Sequence, residues 1–212
     1  YSPRPAMITP SFHPSPRRPA LALPPGACDA HVHVFGPHAR FPFDPGRAYT
    51  PGEAPKERLF ALHDHLGIER CVVVQSNAHG FDNRATADAL AARPGAYVGI
   101  ALVPLDVADA ELQRLDAAGF RGVRFNFARH LGNATPIADV MALAQRLVPL
   151  RWHLQVYFES ALVHELAPAI EGSPVPVVID HMGRVDASLD LDHADFRAVR
   201  RLVRLPHVWV KV

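Results

Sequence analysis

The sequence predicts an α/β fold of the (β/α)8 TIM-barrel class that ends after its seventh strand. Three observations carry that expectation. Short apolar runs of strand type alternate with amphipathic helical stretches from residue 27 onward. The runs are apolar almost throughout, as parallel strands covered on both faces require. Polar residues recur at the C-terminal end of one run after another, which is where a β/α barrel assembles a site. An open doubly wound sheet gathers its ligand at a single switch point instead. No GxGxxG or GxxxxGK loop follows any run, which removes the common nucleotide-binding forms of that sheet.

The expected strands cover residues 28–35, 71–76, 97–103, 122–127, 154–158, 175–180 and 208–212. The expected helices cover 55–66, 84–92, 109–118, 136–147, 161–170 and 194–205. Their ends follow from local chemistry. Gly67 suits the left-handed position after the first helix. Pro94-Gly95 stops the second, Asp109 begins the third with an acidic cap, and Pro136 sits in the first turn of the fourth. Residues 1–25 hold eight prolines and no apolar periodicity, so they read as an extended arm before one barrel domain at 26–212. A closed barrel takes eight strands in ~250 residues. A further strand beyond Val212 is therefore expected.

Composition narrows the function. The 212 residues carry 22 basic and 21 acidic side chains, a net charge of +1, which gives no basic surface for nucleic acid or membrane. No apolar run spans a bilayer and no secretory leader is visible. The two cysteines, Cys28 and Cys71, lie in separate strand runs, and a reducing cytoplasm is the expected location. The 13 histidines are many for this length, and several fall at strand ends.

Three constellations carry chemistry. In Asp29-Ala30-His31-Val32-His33, residues two apart on a strand share a face, so His31 and His33 converge. Two imidazoles so placed hold a metal or polarise a carbonyl; the bland alternative is a pair of core histidines. In Val178-Ile179-Asp180-His181, a buried Asp beside a His needs partners, and His181 is a candidate for the site. In Arg121-Gly122-Val123-Arg124-Phe125-Asn126, Arg124 alternates with apolar residues and offers a planar fork for a carboxylate; its alternative is a structural ion pair. Tyr49, Asn77, His79 and Tyr157 are further candidates for substrate contact. His63 and His65 read as surface or packing residues, and Arg197, Arg200, Arg201 and Arg204 as the solvated face of the last helix.

HVH after the first strand and a His after the sixth resemble the amidohydrolase superfamily. The stretches 29–36, 41–49, 59–67, 73–83, 119–127, 152–159 and 178–184 resemble, within it, the family of 2-pyrone-4,6-dicarboxylate lactonases. That resemblance implies hydrolysis of an anionic lactone to an open-chain acid in the catabolism of lignin-derived aromatics. His31, His33 and His181 would polarise the lactone carbonyl, and an Asp after an eighth strand would activate water. Arg124 would hold a substrate carboxylate, and Tyr49 and Tyr157 would contact substrate oxygens.

The resemblance also bears on metal. Members with two metals bridge them at strand four with a modified Lys or a Glu, where this chain has Phe125-Asn126-Phe127, and Tyr157 stands in place of a strand-five His. No cofactor is expected; the alternative is one zinc on His31 and His33. Two positions depart from the lactonase pattern. Arg129-His130 replaces a Lys-Arg pair, and Asn77 replaces a small hydroxyl residue, so Asn77 and His130 are assigned to a second substrate group. The expected partner is a small carboxylated lactone, with the protein a monomer or small homo-oligomer. Two alternatives remain: a decarboxylase, or a mononuclear zinc lactonase or amide hydrolase, on the same scaffold, and a binding protein that has lost catalysis.

Overall fold

The computed structural model describes residues 11–127 and 135–212. It divides into two compact units, Tyr1–Leu102 and Val103–Val212. The first holds β1 (Cys28–Val32), α1 (Lys56–Leu66), β2 (Arg70–Val74), α2 (Arg84–Ala92) and β3 (Tyr97–Ala101). The second holds α3 (Asp109–Ala117), β4 (Phe120–Asn126), α4 (Ile137–Leu147), β5 (His153–Tyr157), α5 (Val163–Glu171), β6 (Val177–Ile179), α6 (Ala194–Leu202) and β7 (Val208–Val210). Every strand pairing within a unit is parallel. Strand order follows chain order in both, β1-β2-β3 and β4-β5-β6-β7. A doubly wound sheet reverses that order at its switch point; sequential order is how a barrel wall is laid down.

The helices bury one stripe each. On α4 the buried residues are Val140, Leu143, Ala144 and Leu147, the spacing of a single helical face. On α6 the buried Ala198, Val199 and Leu202 oppose the exposed Arg197, Arg200, Arg201 and Arg204, the solvated face read from the sequence. Gly67 ends α1 with φ 78°, and its N–H returns to the His63 carbonyl. No helix among the described residues is long and apolar enough to cross a membrane.

Every strand ends earlier than expected, and at β1 and β6 the backbone explains why. β1 stops at Val32 because Phe35 leaves the parallel ladder and exchanges both backbone hydrogen bonds with Ala54, at 2.9 and 2.8 Å. β6 stops at Ile179 because residues 181–184 turn left-handed. Residues 11–26 carry no helix or strand. They nevertheless lie against the first unit. Ser11 Oγ donates to Gly52 O at 2.8 Å, Arg18 Nε donates to His65 O at 3.3 Å, and the Arg58 guanidinium covers the Phe12 ring.

Gly122 marks the closest approach of two strands. It pairs with His153, and a Cβ at Gly122 would stand 2.7 Å from the His153 carbonyl oxygen. That atom is backbone and cannot swing aside. Gly122→Ala should therefore force β4 from β5 and cost about 1–3 kcal/mol. Urea unfolding checks this, and an unchanged midpoint would show that the strands have slack.

Candidate active site

In the first unit the chemistry gathers at the ends of β1 and β2. His31 and His33 are both half-buried, and their rings meet edge to face with centroids 5.1 Å apart. His33 Nδ1 lies 2.8 Å from the Val74 carbonyl oxygen. A carbonyl only accepts, so Nδ1 carries a proton. Both histidines line a cavity of about 560 Å3, which Phe12 of the arm and Arg58, Leu62 and His65 of α1 also border. That volume falls in the range of small-molecule sites. Tyr49, in the loop after β1, is hydrogen-bonded through its hydroxyl to Ser76 Oγ at 2.8 Å. The loop is thereby tied to the end of β2, with Asn77 as the next, half-buried residue.

His79 is placed differently from the expectation of substrate contact. Its Nδ1 donates to Pro42 O at 3.2 Å and its Nε2 accepts from Gly36 N at 3.4 Å. The ring stacks on Phe35 and tilts against Phe43. With both nitrogens engaged and burial holding its pKa below the usual imidazole range, His79 braces the loop after β1 instead of facing a ligand. His63 falls on the packing side of its reading as a surface or packing residue: it is fully buried, and it is bonded at both ring nitrogens. An isolated His on a helix gives no sign of such partners.

In the second unit the centre is Asp180, 1% exposed. Its Oδ2 accepts from Arg124 Nε at 2.8 Å and from Gln155 Nε2 at 3.0 Å. Lys211 Nζ donates to Gln155 Oε1 at 2.9 Å and stands 3.9 Å from Asp180 Oδ1. The ion pair named as the alternative for Arg124 is thus present, yet it takes only Nε. The two terminal nitrogens of the fork make no hydrogen bond among the described residues. The Arg124 guanidinium lies 5.1 Å from the Tyr157 ring centroid, and that of Arg184 lies 5.4 Å from it and donates to the Tyr157 hydroxyl. The His181 ring meets the same tyrosine edge to face at 5.6 Å, and His181 is exposed. Arg184 was not singled out from sequence; its position three residues after His181 was the available signal. His130 lies outside the described residues.

His181 opens a run of left-handed backbone: His181 φ 49°, Met182 54°, Gly183 64° and Arg184 48°. Only glycine adopts this conformation without strain. The turn is held by Met182 N–H donating to Lys211 O at 2.8 Å and Gly183 N–H donating to Asp180 O at 2.9 Å. Gly183 is also closely packed, since a Cβ there would stand 3.1 Å from Val199 Cγ2. Below this layer, His153 shares the face of β5 that carries Gln155 and Tyr157. Burial, and then the nearby Lys211 charge, push its pKa down to about 4 against opposing effects of the Arg121 carbonyl and Asp180.

The amidohydrolase family model matches residues 28–212, and the chain belongs to that family. It is 46% identical over 202 residues to a 2-pyrone-4,6-dicarboxylate hydrolase of Comamonas testosteroni, with 95% of this chain and 66% of the relative covered. It is 37% identical over 211 residues to a 4-sulfomuconolactone hydrolase of Hydrogenophaga intermedia, covering 98% and 68%. It superposes with TM-score 0.79 and 27% identity on a crystal structure from Acinetobacter baumannii described as a probable 2-pyrone-4,6-dicarboxylic acid hydrolase with citric acid bound, covering 88% of this chain and 70% of that one. The chain thus spans about two-thirds of the length of the curated relatives it matches. The fold class is the TIM barrel of the amidohydrolases, as the strand order within each unit indicated.

The depressed His153 pKa sets a pH response. The folded protein takes up this proton near pH 4 and the unfolded chain near 6.5, so the stabilisation is complete above 6.5 and is lost as pH falls from about 6.5 toward about 4. Buried His79 acts in the same direction. The His153 share is on the order of 2–3 kcal/mol. His153→Gln should flatten the fall in urea stability between pH 7 and pH 5; a variant with the same slope as the parent would place the titration elsewhere.

Proposed function

We propose that the protein hydrolyses a carboxylated lactone, 2-pyrone-4,6-dicarboxylate or a close analogue, in the breakdown of aromatic compounds. The observation that carries this reading is the pair of guanidinium groups, Arg124 and Arg184, on the Tyr157 ring beside His181. Two fixed cations around one aromatic hydroxyl suit a planar substrate bearing carboxylates. The relatives named for lactone hydrolysis support the same class of reaction.

The reaction adds the oxygen of water to the lactone carbonyl carbon and breaks the bond from that carbon to the ring oxygen. The ring oxygen leaves with a proton and a new carboxylate remains. His31, His33 and His181 are assigned to the carbonyl, where N–H donors stabilise the oxyanion that develops. The outer nitrogens of Arg124 are assigned to a substrate carboxylate, which orients the ester for attack. Tyr49 and Tyr157 are assigned to substrate oxygens, and Asn77 and His130 to the second substituent. Turnover without a metal cofactor is part of the proposal. The protein is expected to work in the cytoplasm as a monomer or small homo-oligomer.

The test is turnover of a panel of anionic and neutral lactones, followed by loss of substrate absorbance. Arg124→Met should lower kcat/KM for the anionic lactones by about tenfold or more, equivalent to ~1.5–3 kcal/mol, and leave neutral ones much less affected. An unchanged ratio would make Arg124 purely structural, and a parent protein inert on the whole panel would end the lactonase reading. Exhaustive chelation should leave the rate intact. Loss restored by zinc alone would replace this scheme with a mononuclear metal mechanism.

A further inference from the structure

The first unit contains a hydrogen-bonded chain that the scheme above does not use. His63, on α1, has no exposed surface. Its Nδ1 lies 2.6 Å from the Tyr97 hydroxyl on β3, and its Nε2 lies 3.4 Å from Asp29 Oδ2 on β1. Asp29 Oδ1 in turn accepts the backbone N–H of His31 at 3.1 Å. Donors and acceptors can be assigned along the whole chain. The Asp29 carboxyl is held below the usual carboxylate range, first by the His63 hydrogen bond, so it is ionised and only accepts. Nε2 of His63 therefore carries the proton. In that tautomer Nδ1 accepts, and the donor to it is the Tyr97 hydroxyl, whose pKa burial pushes up to about 12. The order is Tyr97 O–H to His63, His63 N–H to Asp29, and His31 N–H to Asp29 from the other side.

The last link coincides with a fault in the sheet. β1 and β2 pair at Asp29–Cys71 and again at Val32–Val73, so β1 spends three steps where β2 spends two. One residue is extra. A bulge of this kind bends the strand and re-aims the side chains around it. Here a side-chain carboxylate receives the His31 N–H. The alternation that would fix the directions of His31 and His33 in a regular strand is interrupted between Asp29 and Val32. Their edge-to-face contact and the His33 hydrogen bond to Val74 O are what follow.

We propose that Tyr97, His63 and Asp29 form a positioning relay: it pins the β1 bulge and so sets the aim of His31 and His33. These three are positioning residues, since none is assigned to substrate. A His63 that lay in the core for packing alone would need neither an ionised partner nor a link to the strand that carries the HxH pair. The inference rests on the lactonase reading for the role of the aimed histidines, and on geometry alone for the aiming itself.

The test separates those two layers. The ring resonances of 15N-labelled histidines are recorded for the parent protein, His63→Gln, His63→Leu and Tyr97→Phe. Gln retains a donor toward Asp29 and an acceptor toward Tyr97, whereas Leu retains neither. His63→Leu should shift the His31 and His33 ring signals and leave those of His164, in the other unit, in place. His63→Gln should restore the parent pattern in large part. On a lactone that the parent hydrolyses, His63→Leu should lower kcat by about tenfold with KM within about twofold, because aim and not binding is lost. Tyr97→Phe removes one hydroxyl and should give a smaller effect in the same direction. It also serves if the Leu variant does not fold. Unmoved His31 and His33 signals in a folded Leu or Phe variant would overturn the relay whatever the enzyme's substrate. A parent protein inert on lactones, with shifted signals in the variants, would overturn only the lactonase reading.

Discussion

The Arg124–Asp180 ion pair is the interaction on which the second unit turns. Asp180 is almost wholly buried at the end of β6, and Arg124 is nearly so on β4. Burying two charges costs several kcal/mol each, and their attraction offsets this only if the remaining hydrogen-bonding atoms find partners. Gln155 on β5 adds a second hydrogen bond to Oδ2, and Lys211 after β7 brings a positive charge 3.9 Å from Oδ1. One carboxylate thereby ties β4, β5 and the segment after β7 to the end of β6. The arrangement leaves more positive than negative charge, with Arg124, Lys211 and Arg184 against Asp180. That excess favours an anionic ligand over a neutral one.

The same network supports a strained turn. Three non-glycine residues in left-handed backbone, His181, Met182 and Arg184, carry a cost of about 3–6 kcal/mol together. A turn of that kind persists only where its surroundings over-determine it, and such strain clusters at functional sites. Here the surroundings are the hydrogen bonds of Met182 and Gly183 to the backbone of Lys211 and Asp180, whose side chains belong to the ion-pair network. The turn sets His181 against Tyr157 and brings Arg184 to the tyrosine hydroxyl. Packing, electrostatics and the candidate site are therefore one system in this unit.

How much of this was legible in the sequence depended on periodicity. The strands and helices were, because apolar runs and capping residues are local signals. The helix of α2 falls on residues 84–92 as expected, and β6, Val177–Ile179, lies inside the expected 175–180. The facing of Arg124 with its strand neighbours was legible by alternation, but its choice between ion pair and ligand was not. Both readings need a buried cation, and only the position of Asp180 on β6 shows that Nε takes one and leaves the outer nitrogens. The partners of His79 and His63 were hidden for a related reason. Each has its partners 34 to 43 positions away in sequence, Tyr97 and Asp29 for His63, Pro42 and Gly36 for His79. No window along the chain contains such pairs. The bulge in β1 was hidden too, since no glycine marks it and the Asp29 carboxylate that takes the His31 N–H there is a side-chain contact.

A double-mutant cycle on Arg124 and Asp180, read as unfolding free energy, tests the central claim most directly. Arg124→Met, Asp180→Leu and the double variant remove either charge or both, with similar volume in the core. If the pair anchors the second unit, each single variant strands a buried charge and costs about 3–5 kcal/mol, and the double variant recovers much of that loss. Losses that simply add in the double variant would contradict the account, because the two side chains would then be acting independently.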